Sequence, residues 1–458
     1  MTRIRGLLAP LRAVLARFLP QGAILLSVLT FAAYFAGLLR DRLFARTFGA
    51  GAELDAYNAA FVLPELALDV LVASGLTAPF VPIFSSLRRG DPYGDAAARF
   101  AQTVLTLAVM VMAAASLALL MVAPATVRLI APGFDEAQQA LYLELFQLML
   151  VTPILFAASI TLGEVLVAER RFLFYALAPI LYNVGIAAGT LLFSDTLGIK
   201  AAAIGAVMGA SLHLGIRVVG ILRSSVPLRA RLDLRMPALR EFLRLMVPKM
   251  LSHPIEPLTF LFFTSVATTL AAGSVSAVSF ARNFQSVPVS LIGVSIALAA
   301  FPGLSAMWAA GDRGGFGREI RRNALTIGGA TTLAAIGLVI VGPLAIEVLL
   351  GGGRFDEEDV LLTASVLAVF ALSIPFEALG HLVARGLYAT HNTVLAVLAS
   401  LAAFGVTVAV TLLLVDPLGV LAIPLGFAAG MAVKASLQGA ALAWRIRTAP
   451  MPASTPEA

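Results

Sequence analysis

The chain has 458 residues, 60% of them hydrophobic and only 13% charged, where a soluble globular domain carries about 25% charge. So much apolar surface excludes a water-soluble fold, and the absence of cysteine excludes disulfides and thiolate metal sites. The net charge of +6 does not point to nucleic acid, because the basic residues fall in short loops between apolar segments, the pattern that orients membrane proteins.

Taken in order, residues 1–21 carry arginines among apolar positions. Arg12 and Arg17 interrupt any signal-peptide core. The segment reads instead as an amphipathic stretch on the cytoplasmic face. Twelve apolar spans follow, near 22–46, 55–87, 98–123, 138–168, 173–194, 199–222, 242–270, 274–308, 321–350, 360–388, 393–415 and 418–444. Several exceed the ~20 residues that cross a bilayer, which calls for tilt, bending or protrusion. Loops after even-numbered spans are rich in arginine, as in Arg88 and Arg89, Arg170 and Arg171, and Arg321 and Arg322. Loops after odd-numbered spans hold few basic residues, so both termini are expected in the cytoplasm.

The sequence also repeats itself. Asp195 and Asp416, Gly198 and Gly419, Gly205 and Gly426, and Gly209 and Gly430 share one offset. Phe134-Asp135-Glu136 matches Phe355-Asp356-Glu357, and Gly90-Asp91 matches Gly311-Asp312, at that same offset. The expected architecture is all-α: a six-helix unit duplicated in parallel orientation. Its parts are a first lobe at 22–222, a basic linker at 223–241, a second lobe at 242–444 and a cytoplasmic tail at 445–458. Gly205-x-x-x-Gly209 and Gly426-x-x-x-Gly430 fit close helix packing.

Segment 45–84 reads ARTFGAGAELDAYNAAFVLPELALDVLVASGLTAPFVPIF. With Arg40-Asp41, Ala131-Pro132-Gly133-Phe134, Ala178-Pro179, Asn183, Pro302 and Gly353-Arg354-Phe355, it resembles the MurJ/MviN family of lipid II flippases. That family lies in the multidrug/oligosaccharidyl-lipid/polysaccharide exporter superfamily. The resemblance implies two lobes around a central cavity and alternating access to the two membrane faces. It implies a bacterial cytoplasmic membrane location and a polyprenyl-diphosphate-linked peptidoglycan precursor as substrate. The chain departs from the family at three places: Leu68-Asp69 and Ala73-Ser74-Gly75 stand where an arginine pair and an Ala-Glu-Gly are usual, and Arg282-Asn283 where an Asp-Arg is usual. Family members commonly add two helices, associated with a lipid-tail groove, beyond the twelve counted here.

Ionisable groups at membrane depth usually face a cavity or a partner. Arg40 lies about ten residues before the turn at Gly49-Ala50-Gly51, roughly 15 Å along a straight helix. It reads as a phosphate ligand, or as part of an Arg40–Asp41–Asp55 ion cluster. Asp55 starts the second span, as its N-cap or as a cavity group. Lys249, His253 and Glu256 share one helical face, as do Glu377, His381 and Arg385. Each set could bind an anionic head group, relay protons, or pair internally. Arg282 reads as substrate-binding, or as the partner of Glu256 or another carboxylate. The substrate-binding set is therefore Arg40, Asp41, Asp55, Lys249 and Arg282, with His253, Glu256, Glu377 and His381 for coupling or relay.

Walker, HExxH and histidine-cluster signatures are missing from the sequence, so an enzyme, a metal and a cofactor are not expected. Transport would draw on Na+, H+ or the membrane potential. The expected partners are a lipid-linked oligosaccharide and membrane lipids, with no nucleic acid; the sequence is compatible with a monomer. The rival readings are a drug/cation antiporter, whose cavity should favour carboxylates over arginines, and a non-transporting scaffold that binds a lipid precursor.

Overall fold

A computed structural model describes residues 21–91, 95–224, 226–252 and 255–448, excluding the side chains of 21–24, 248, 249, 251 and 252. Among the described residues the chain is helical throughout, without strands; a single bridge joins Gly352 and Phe355. Among the described residues, eight helical runs are long and apolar enough to cross a membrane, or nine if the bent pair Glu357–Ala371 and Ile374–Ala389 is one span. Their outer faces are apolar: Leu333, Ile336, Ile340 and Leu344 are exposed along Arg313–Leu349. Lipid, not water, suits such a surface.

The expected count of twelve is not reached by length and composition alone. The first expected span is the helix Gln21–Phe48, which carries Arg40, Asp41, Arg42 and Arg46 in its last turns and is not among the eight. The seventh is described as Pro237–Ser252 and Ile255–Ala267, each too short on its own. The run Val394–Thr448 has 55 residues, far longer than the ~20 that cross a bilayer. It holds two helices, Val394–Leu418 and Ala422–Thr448, folded back on each other so that Gly426 and Gly430 press on Thr411 and Thr407.

The shared offset recurs as shared local geometry. Asp135 caps the helix Glu136–Met149 by accepting from Gln138 N at 2.8 Å, and Asp356 caps Glu357–Ala371 by accepting from Asp359 N at 3.0 Å. Phe172–Leu197 ends on Gly198 at φ +55°, and Val394–Leu418 ends on Gly419 at φ +54°, a conformation only glycine adopts cheaply. A Cβ on Gly205 would meet Ile186 O at 2.7 Å, and one on Gly426 would meet Thr407 O at 2.8 Å. Both glycines thus let two helix backbones touch. A π-turn interrupts the second helical run at Asp69–Ala73, and another stands at Val289–Val294. Pro64 and Pro288 lie shortly before these turns, and Pro375 lies at the 42° bend after Ala371.

The chain forms two compact units. The first takes in residues up to Thr47, Ala59–Leu129 and Asp135–Pro257; the second takes in Phe48–Asn58, Ile130–Phe134 and Leu258 onward. Phe80, Phe84, Phe100 and Phe242 make the aromatic heart of the first unit, with ring centroids 5.3–6.4 Å apart. In the second unit Phe263, Phe370 and Phe427 meet edge to face. This second cluster forms part of the surroundings of the charged group described next.

Candidate functional site

In the second unit, Arg282 projects from the helix Ser274–Pro288 toward Glu377 on Ile374–Ala389. Nη2 donates to Glu377 Oε1 at 2.8 Å and Nη1 to Oε2 at 3.0 Å, a two-point fit between fork and carboxylate. Gln285 Nε2 donates to the same Oε2 at 2.8 Å and to Ser373 Oγ at 3.0 Å, while Arg282 Nη1 also donates to Gln285 Oε1. The guanidinium lies over the rings of Phe260 and Phe427, 5.4 and 4.9 Å from their centroids. Arg282 and Glu377 side chains are 13% and 10% exposed, so the pair is largely withdrawn from solvent.

Of the two sequence-based readings of Arg282, the ion pair is the one formed here. Its partner is Glu377, one of the carboxylates that the sequence left open beside Glu256. Glu377, His381 and Arg385 do lie on one helix, but Glu377 is committed to Arg282, and Arg385 Nη1 reaches the backbone oxygen of His381 at 3.5 Å. Glu256 is exposed at the start of Ile255–Ala267. The Lys249 side chain and His253 lie outside the described residues.

Asp55 does not cap its own helix, the first of the roles foreseen for it. It sits within the first turn of its own helix, which begins at Ala52. Its Oδ2 accepts from Gly273 N at 2.7 Å, and its Oδ1 accepts from Ser276 N at 2.8 Å and Ser276 Oγ at 2.6 Å. Gly273, at φ +91°, is the N-cap of Ser274–Pro288 and has no side chain to close that helix. Asp55 supplies the missing cap from another helix. It is 2% exposed.

Around it the short segments of the second unit interlock. Asp359 Oδ2 accepts from Ala50 N at 3.0 Å, and Arg354 Nη1 approaches Glu53 Oε2 at 3.4 Å. Gly49 at φ +70° lies so close to Arg354 O that a Cβ would come within 2.6 Å. Asp359 does not stand out in the sequence, where it merges into the acidic run Asp356–Asp359.

In the first unit Arg40 binds its neighbour Asp41, with Nε and Nη2 at 3.1 and 2.7 Å from one oxygen, Oδ1. Both side chains stay partly accessible, at 25% and 12%.

Sequence reading missed a buried polar group in the same unit. Glu164 accepts from Thr77 Oγ1 at 3.0 Å, Arg217 Nη1 donates to Ser159 O at 2.7 Å, and Ser159 Oγ is 2.7 Å from His213 Nδ1. The signal was available: Glu164 is the sole charged residue in Val151–Ala168, and a lone charge in an apolar span asks for a partner.

The family model described as lipid II flippase MurJ matches residues 44–449. The chain belongs to the MurJ family. A relative from Rickettsia prowazekii, described as a probable lipid II flippase MurJ, is 25% identical over 413 residues, covering 89% of this chain and 80% of the relative. Among solved structures, a lipid II flippase MurJ in an inward closed conformation matches with a TM-score of 0.78 at 22% identity, covering 93% of this chain and 88% of its own. An inward-facing multidrug resistance MATE family transporter of the MOP superfamily matches with a TM-score of 0.79 at 15% identity, covering 93% of this chain and 100% of its own. At those identities the two structures speak for the fold, while membership rests on the family match.

Proposed function

We propose that this chain is a flippase that moves lipid II, or a close polyprenyl-diphosphate relative, across the bacterial cytoplasmic membrane by alternating access. The observation that carries the reading is the family match over residues 44–449, nearly the whole described chain. The arginine chemistry is compatible with it. Arg40 stands beside Asp41 and Arg282 beside Glu377. A diphosphate offers the same acceptor oxygens with more charge, so it can exchange for a carboxylate at a guanidinium fork. On this reading Arg40 and Arg282 hold the head group, Lys249 adds charge, and Asp41 and Glu377 occupy the arginines between cycles. Asp55 acts on substrate only indirectly, through the helix it caps. His253, Glu256 and His381 remain candidates for proton or cation relay.

The lobes at 22–222 and 242–444 would rock about the linker at 223–241, with both termini in the cytoplasm. Na+, H+ or the membrane potential would drive the cycle, and a monomer suffices for it.

Reconstitution into liposomes with labelled lipid II in one leaflet tests the function. Transfer of label to the opposite leaflet, lost in Arg40→Ala at equal reconstitution, is expected. Absence of transfer by folded wild-type protein under an imposed gradient or potential would refute it.

A further inference from the structure

Head-group binding leaves the buried charge inside the first unit unexplained. Glu164 is 3% exposed, and its Oε1 accepts from Thr77 Oγ1 at 3.0 Å. Its Oε2 is buried without a hydrogen bond. Arg217 lies within reach, for its Nη1 would be 2.5 Å from a Cβ on Gly163, the residue beside Glu164. Arg217 is near enough to act on Glu164 electrostatically, yet Nη1 donates to Ser159 O at 2.7 Å and the guanidinium lies 4.9 Å from the Tyr175 ring centroid. Its Nε is likewise buried and bare.

An ionised carboxylate with a bare oxygen in apolar surroundings is costly, and such groups neutralise by taking up a proton. The acid form suits this geometry. Thr77 can donate to the carbonyl oxygen Oε1, and the proton resides on Oε2. Arg217, meanwhile, has a carbonyl and a π face as its own counter-groups. We infer that Glu164 is a proton-binding site of the first unit, loaded in this conformation and emptied when Arg217 crosses Gly163 to pair with it. In the unloading step the Oε2–H bond breaks, its electron pair stays on the carboxylate, and the proton leaves to water. Arg217 keeps its charge throughout.

The helices packed against Val151–Ala168 bring few other ionisable groups. His213 and Arg217 come from Lys200–Leu222, with Lys200 paired to Glu144 of Glu136–Met149. Tyr142 also belongs to Glu136–Met149, and its hydroxyl donates to Thr126 Oγ1. Tyr175, Tyr182 and Asp195 come from Phe172–Leu197, Asp95 and Arg99 from Asp95–Met121, and Asp69 from the π-turn. Ser74–Gly90 contributes Thr77, then Arg88, paired to Glu169, and Arg89 at its end. Among these groups, Arg217 is the one that lies against the backbone beside the carboxyl. His213, joined to Ser159, is the next titratable group along the same helix.

As the coupling site of a flippase this rests on the function proposed above; as a proton site it does not. Infrared difference spectroscopy of the full chain in lipid nanodiscs at neutral pH reads it directly. A protonated-carboxyl C=O band that disappears in Glu164→Gln is expected, and a wild-type spectrum without such a band would overturn the site. Should that variant not fold, Thr77→Val decides instead: loss of the hydroxyl donor must shift the band. In proteoliposomes with labelled lipid II, an imposed proton gradient should accelerate the wild type and leave Glu164→Gln unaffected. An undiminished gradient response in the variant defeats the coupling role. If the wild type moves no lipid II, the flippase reading falls while the infrared band still decides the proton site.

Discussion

Asp55 binds Ser276 through both backbone and hydroxyl, at 2.8 and 2.6 Å, and the two residues are separated by the same offset as Asp195 and Asp416. At this offset the earlier position holds a carboxylate and the later one a donor. The carboxylate satisfies two backbone N–H groups at a helix start whose own cap residue is glycine. Asp55→Ala strands those donors and should cost about 2 kcal/mol, while Asp55→Asn should cost less because the amide oxygen still accepts. Thermal unfolding in detergent, followed by circular dichroism, measures both; an unshifted melt in Asp55→Ala would contradict the capping role.

The pair Arg282–Glu377 makes a sharper test. Removing Arg282 alone leaves a withdrawn carboxylate uncompensated, at a cost of about 3–5 kcal/mol. Arg282→Met with Glu377→Gln should recover most of that stability, because no lone charge remains. Lipid II binding should stay lost in the double variant if Arg282 holds the diphosphate. Restored binding would reduce the pair to a structural element.

Arg40→Ala should abolish complementation while the protein still reaches the membrane. Arg40→Lys should rescue only partly, because an ammonium lacks the two-point fork. Growth at wild-type rate with Arg40→Ala would remove Arg40 from the substrate site.

Close packing can be probed at paired glycines. Gly205→Ala and Gly426→Ala each push a methyl into the neighbouring helix, at Ile186 O and Thr411 Oγ1. Each should cost about 1–3 kcal/mol. Gly215→Ala is the control, with nothing within 4 Å of its new Cβ. Its melting temperature should not fall.

The absence of native cysteine makes topology testable by single-cysteine labelling. Positions 91 and 312 should be shielded from an impermeant reagent in intact cells, and position 356 should react. Labelling of 91 from outside would invert the proposed orientation.

Local patterns are legible in the sequence. Asp135 and Asp356, matched in the sequence by their shared offset, each cap the helix that follows through a contact three residues away. Gly205 and Gly209 advertise close packing because the motif lies on one helix face. Partners across long stretches of chain are not legible. Glu377 lies far along the chain from Arg282, and several carboxylates could have met it equally well. Asp55 looks like a cap of its own helix because sequence spacing says nothing about a neighbour's end. Glu164 is marked by its isolation in an apolar span and Arg217 by His213 one turn before it, yet neither pattern names the partners that the fold brings to them.

The second compact unit includes Phe48–Asn58 and Ile130–Phe134, two pieces drawn from the first half of the sequence. Asp55 caps one of its helices, Ala50 receives Asp359, and Gly133 lies against Thr268 so tightly that a Cβ would come within 2.2 Å of its carbonyl oxygen. A chain severed within residues 223–241 would therefore yield a C-terminal fragment with one helix start uncapped and several backbone contacts empty. Such a fragment should need its other half present to mature, as two polypeptides produced together. The later part of the sequence thus completes its fold with pieces written in the earlier part.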